Sequence, residues 1–385
     1  MRVSSTSAAS YLVCGTDRPP TRVTIKLGIL VLCCWMHLCI DSDQAVGQIN
    51  AGELSLTLSG RVHRVVMLVE DGAAWNSFFM DSEQAFSMLR ADATKRHDGD
   101  WTVSGALEVG IQSNPGILVS QDDPNPGTDL TVRNAEIAIE HAKFGKARLG
   151  RVLAAAWVVP ELDLSGTVPS AILATGTLAP GMKFVDRSTN DLSDFRVRDY
   201  FFAGERLLLT DGIRYDSPRF GGGGQLSGTW AADERWDAAL RYYPTFDGWS
   251  FRAAVTYQHK PLFDFEDRGD LGLSVRHDGT GLSLTGGLLR GRRTSGRDAM
   301  GHVLKAGWLN EIISLGATAL SIDYSRGSDL MLAEDRAESI GLFAQQNWDS
   351  VQVVFYAGYR TYYVTRPDIS LNRLHTLSTG AMLNF

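Results

Sequence analysis

Beyond residue 39 the sequence contains no cysteine; its four lie at positions 14, 33, 34 and 39. That excludes a disulfide framework and a cysteine-ligated metal centre from the rest of the chain. Long apolar runs are also missing. After residue 40 nothing approaches the roughly 18 apolar residues of a helical membrane span. A basic surface is lacking, since 37 Lys and Arg face 44 Asp and Glu for a formal charge of −7. This argues against general nucleic-acid binding. The eight histidines form no HExxH, no GxSxG occurs, and no Lys-Ser/Thr pair follows "GGGG" at 221–224. No metal site, hydrolase elbow or phosphate cradle is therefore written, and no cofactor is expected. The acidic stretch "DDPNPGTD" lacks the ordered ligand spacing of a calcium loop and reads as solvated.

The cysteines cluster where a different signal lies. "LGILVLCCWMHLCI", Leu27 to Ile40, follows Arg18, Arg22 and Lys26 and precedes the small residues Ala45 and Gly47. A basic start, an apolar stretch and a small-residue exit read as a secretory signal over residues 1–47. The remainder, 48–385, is then one exported domain. A membrane anchor is the alternative, although 14 apolar residues are short for a span.

What the rest does have is alternation. "WTVSGALEVGI" sets Trp101, Val103, Leu107, Val109 and Ile111 on one face against Thr102, Ser104 and Glu108. "WSFRAAVTYQ" opposes Phe251, Ala253, Val255 and Tyr257 to Arg252, Thr256 and Gln258, and "VQVVFYAGYR" behaves likewise. A period of two is a strand with one apolar face. About sixteen such segments recur, among them 54–69, 84–96, 302–309, 312–325 and 372–385. Short connectors such as "HDGD", "KFGK", "DGTG", "NEI" and "NWDS" alternate with longer ones such as "DGAAWNSFFMDSE" and "RGSDLMLAEDRA". Even strand number, loops segregated by length and a polar face carrying Arg and Glu define an all-β transmembrane antiparallel barrel of about sixteen strands. Trp101, Trp236, Trp249, Trp308, Trp348, Tyr362, Tyr363 and Phe385 fall at segment ends, where interfacial girdles belong. Alternation also turns Arg61, Arg90 and Arg148 toward the lumen, because Leu58, Leu89 and Leu149 face out.

Several stretches resemble the Gram-negative general porin family. "LTLSGRV" (56–62) resembles its first strand, "KFGKARLGR" (143–151) its "FG…LGR" turn and fifth strand, and "IRYDSPRFGG" (213–222) its "RYDSP" stretch. The ending "LSTGAMLNF", with Leu377, Leu383 and Phe385 on one face, resembles the family's carboxy-terminal sorting signal. The resemblance implies a cell outer membrane location, a homotrimer, and a long third loop folded into the barrel, which corresponds to Ala154 to Glu205. It further implies a constriction with Arg61, Arg90 and Arg148 as the basic wall and Glu161 and Asp163 as the acidic loop. The family's usual acidic loop motif is absent from this stretch.

The reading that follows is a water-filled channel, not an enzyme, for passive diffusion of small hydrophilic solutes and ions, surrounded by outer-membrane lipid. A substrate-specific channel is the alternative. A barrel hydrolase would need partners for His63, His259 or His302, and an occluded structural or adhesive barrel would share the same outer face.

Overall fold

The computed structural model describes residues 47–51, 53–97, 99–201, 209–232, 234–261, 265–294 and 297–385. The expected signal, residues 1–47, lies outside the described residues except for Gly47. The wall begins with β1 (Gly47–Ala51), β2 (Leu54–Glu70), β3 (Trp75–Asp81), β4 (Met88–His97), β5 (Trp101–Gln112), β6 (Asp129–His141) and β7 (Gly145–Leu153). A long connector follows, holding the short pair β8 (Lys183–Val185) and β9 (Leu192–Arg196) and the single turn α1 (Val197–Tyr200). The wall resumes with β10 (Leu209–Asp216), β11 (Gly224–Ala231), β12 (Trp236–Tyr242), the two-residue β13 (Thr245–Phe246) and β14 (Trp249–His259). It ends with β15 (Phe265–His277), β16 (Leu282–Arg293), β17 (Ala299–Ile313) and β18 (Gly316–Ser328). Then come β19 (Arg336–Trp348), β20 (Val353–Thr365) and β21 (Leu374–Asn384).

Wall strands pair antiparallel with their sequence neighbours, and β21 returns to β2 with Leu383 opposite Val62 and Leu377 opposite Leu68. The result is a closed sixteen-strand barrel. Closure leaves no strand edge, the condition for crossing lipid with strands. Phe385 completes the seam: its N–H donates to the Gly60 carbonyl at 2.9 Å, and the Gly60 N–H donates back at 2.6 Å. A Cβ on Gly60 would lie 2.5 Å from the Phe385 ring, so glycine there lets the aromatic end lie flat against the seam, and a larger residue would have to displace it.

The two faces separate as the alternation requires. On β18, Leu320 and Ile322 point out at 45% and 51% exposure, while Ser321, Asp323 and Ser325 point in and are buried. Leu377 and Leu383 likewise face out. The "GGGG" stretch is a turn, with positive φ at Gly221, Gly222 and Gly223, as its composition suggests.

Four expectations need correction. "DGAAWNSFFMDSE" is not a long loop: residues 71–74 turn tightly and β3 pairs with β2, Trp75 opposite Glu70. The strand expected at 84–96 is the continuation of β3 as β4 after a buried break at 82–87. "NEI" at 310–312 is strand, since β17 runs to Ile313 and the turn is residues 314–315. Finally, Tyr362 is not an interfacial aromatic; it is fully buried and its hydroxyl donates to the Thr175 carbonyl at 2.9 Å.

Candidate functional site

The connector after β7 is held against the polar face of the wall. It opens with a 3₁₀ segment, Ala155–Leu162, whose first N–H donates to Thr229 Oγ1 at 2.9 Å and Asp237 Oδ1 at 3.1 Å. Leu164 N–H reaches Ser274 Oγ at 3.2 Å, Thr167 Oγ1 meets Ser321 Oγ at 2.8 Å, and Gln345 Nε2 donates to the Gly166 carbonyl at 2.8 Å. Wall glycines permit the approach: a Cβ on Gly272 would lie 2.4 Å from Leu162, and one on Gly307 would lie 2.3 Å from Ser165. Farther along, Met182, Phe184, Val197, Tyr200 and Phe201 form a core with Val65, Met67, Val69, Phe343 and Tyr362. The inner faces of β2 and β20 are apolar there because they meet connector rather than water.

Outside the spanning strands, local chemistry fixes the connector's ends. Lys183 Nζ donates to Asp122 Oδ2 at 2.6 Å, and this hydrogen bond, with one from Ser120, holds the Asp122 carboxyl below its ordinary range. Burial raises the Asp199 carboxyl and pushes the Tyr200 phenol up to about 12, against the Arg366 hydrogen bond it receives.

The five residues expected at a constriction fall in different places. Arg61 is buried, its Nε donating to Asn384 Oδ1 at 2.9 Å. Arg90 grips Asp92 through Nε and Nη2 at 2.7 and 2.9 Å and reaches Glu108 at 3.1 Å. Arg148 lies between Glu136 at 3.5 Å and Asp216 at 3.2 Å. Glu161 offers its backbone carbonyl to Arg252 Nη1 at 3.3 Å. Asp163 is fully buried: it accepts the Ser165 N–H at 2.8 Å and Lys305 Nζ at 2.6 Å. A cavity of about 130 Å³ brings Arg61 and Asp163 together, and Arg252 and Arg276 complete its basic lining. Arg90 and Arg148 are not among its lining.

Arg214, Arg241, Arg252, Arg276 and Lys305 were not singled out by sequence reasoning for this region. The signal was present for all of them, because each alternates with an outward neighbour: Arg241 with Leu240 and Tyr242, Lys305 with Leu304. Alternation does not rank inward cations, which is why three were chosen and these were not. Arg252 also stacks its guanidinium over the Tyr243 ring, 5.8 Å from the centroid. Of the rim histidines, His63 sits between the Ala85 carbonyl and the Tyr356 hydroxyl, His259 pairs with Asp267 at 2.9 Å, and His302 lies beside Tyr324.

A closed barrel with an apolar outer belt and an interior lined by arginines and carboxylates defines an outer-membrane channel. The sequence profile of the Gram-negative porin family matches residues 44–367, and the chain belongs to that family. Among solved structures, the anion-selective porin from Comamonas acidovorans is 17% identical with a TM-score of 0.59, covering 86% of this chain and 100% of its own. The trimer form of OmpT from Vibrio cholerae is 12% identical, TM-score 0.54, covering 86% and 99%. The outer-membrane channel DcaP of Acinetobacter baumannii is 12% identical, TM-score 0.55, covering 87% and 99%. No curated protein matches the sequence. The protein is an outer-membrane diffusion channel.

Proposed function

We propose that the channel passes small hydrophilic solutes and ions through a lumen narrowed by connector residues 154–201, and that it favours anions. One observation carries the sign: the cavity beside the connector is lined by Arg61, Arg252 and Arg276, the last paired with Asp278 at 3.1 Å, while among the described residues its one acidic lining residue, Asp163, is engaged by Lys305. Guanidinium groups in a narrow aqueous path raise the local concentration of anions and repel cations. Arg90 and Arg148, each already beside two carboxylates, contribute a nearly neutral stretch of wall. The name of the Comamonas porin, anion-selective, is consistent with this sign.

The working unit in this reading is a homotrimer in outer-membrane lipid, in keeping with the trimer form of OmpT, and residues 1–47 are a signal removed on export. The test is single-channel recording of the purified protein in a planar bilayer under a KCl gradient. The reading expects conductance steps in groups of three and a reversal potential on the chloride side, moved toward zero in Arg252→Ala. A reversal on the potassium side would overturn the anion preference. A folded barrel that never conducts would overturn the channel.

A further inference from the structure

We propose that the connector and the wall of β15–β18 together form a binding site for a small, uncharged ring compound, held beside the polar path. This names a solute class for the channel reading and rests on it. The site begins as missing side chains. Gly287 and Gly301 occupy inward positions on β16 and β17, Gly301 beside Leu289 in the ladder and Gly287 beside Val303. A Cβ on Gly301 would find its nearest neighbours at 3.7 and 3.8 Å, so the wall is recessed at Gly301, whereas one on Gly287 would lie 3.0 Å from Val303 Cγ1, which makes Gly287 the closely packed edge of the recess. The connector roofs the recess, leaving a cavity of about 150 Å³ that opens at one mouth.

The lining states what fits. Trp157 and Phe201 come from the connector and Phe265 from β15, all nearly buried, with Leu289 and Val303 beneath. Aromatic faces and branched aliphatics on opposite sides suit a flat apolar molecule, through offset or edge contacts. An apolar cavity of this kind holds water poorly and gains by exchanging it for a ring. At one end lies a polar group: Arg268 donates to Asp270 Oδ1 at 2.8 Å, and Gln258 Nε2 donates to Asp270 Oδ2 at 3.1 Å. Arg198, Asp199 and Arg326 also line the cavity, Arg198 lying 4.0 Å from Asp199 and Arg326 lying 3.6 Å from Glu338, so each arginine of the lining stands beside a carboxylate and the site offers hydrogen bonds with its charges close to balanced. An ion would lose its hydration with no counter-charge to replace it, so the compound is neutral, with one hydrogen-bonding substituent.

Indole, flat and neutral with a single N–H, is the probe. Binding is measured by equilibrium dialysis of the detergent-solubilised full barrel against a matched detergent blank, beside KCl conductance in the bilayer. Gly301→Leu fills the recess and Trp157→Ala removes one face without touching the wall. Each is expected to weaken indole binding about tenfold or more, as a steric block or a lost face should. Gly286→Leu adds the same side chain one position away on the outward face, where nothing lies nearer than 4.0 Å, and is expected to leave binding as it was. Equal affinity in Gly301→Leu and the unaltered protein, or no binding above the blank, overturns the site. A protein that binds indole but never conducts leaves the site standing and overturns the channel reading instead.

Discussion

Asp163 and Lys305 bury opposite charges 2.6 Å apart with 0% and 1% of their side chains exposed. Such a pair costs desolvation, and its value here lies in position: Lys305 Nζ also donates to the Ala171 carbonyl, so one ammonium ties two points of the connector to β17. Removing one partner strands the other charge, which costs about 3–5 kcal/mol. Lys305→Met is therefore expected to lower the unfolding free energy by that order, and Asp163→Leu combined with Lys305→Met by far less than the sum of the two single changes. Denaturant unfolding of the folded barrel in micelles reads both. A single-variant loss under about 1 kcal/mol would mean the pair is screened like a surface one. The residue scale is also where the sequence is least legible. Asp163 could be marked as an acid near the connector's tip, but its partner lies 142 residues away, and alternation says only that Lys305 faces in.

At the scale of elements, legibility depended on what each inner face meets. Strands whose inner face meets polar groups, such as β18 with Ser321, Asp323 and Ser325 inward, show their period in the sequence. β3 does not, because Phe78 and Met80 point in and are buried while Trp75 and Phe79 point out. Apolar on both faces, it carries no alternation and reads as a loop. The connector's external attachment leads to a pH prediction. Asp122 is held below its ordinary range by the Lys183 hydrogen bond, so its charged form is the one the fold favours. The contribution is complete above the ordinary carboxylate range and is lost as pH falls through it toward the lowered value. With half of the Asp122 side chain exposed, its size is below about 1 kcal/mol. Acidification should thus lower the protection of backbone amides around Lys183 against hydrogen exchange, measured relative to their intrinsic rate at each pH, and Lys183→Met should show that lower protection already at neutral pH. Equal protection of Lys183→Met and the unaltered protein at neutral pH would remove the tether from the account.

For the whole molecule, the decisive step is closing sixteen strands into one ring, and Phe385 stands at the last point of the seam. Two ladder bonds to Gly60 and the ring over that glycine end the β21–β2 pairing at the short-turn side. Leu383, Leu377 and Phe385 were read as a sorting signal from resemblance alone, and their place in the seam supplies a second, purely structural role for the aromatic. The two roles separate by experiment. Deleting Phe385 removes both ladder bonds, each worth about 0.5–1.5 kcal/mol net, from a seam that still pairs Asn384 through His375 with Arg61 through Glu70 of β2. If the aromatic serves chiefly as a sorting signal, the shortened chain refolds in detergent nearly as well as the full one while its yield in the outer membrane falls several-fold. If closure depends on it, refolding and membrane yield fall together. Phe385→Tyr keeps the ladder and the ring, so it should preserve refolding in either case, and its membrane yield then measures how strictly the sorting step reads that last ring.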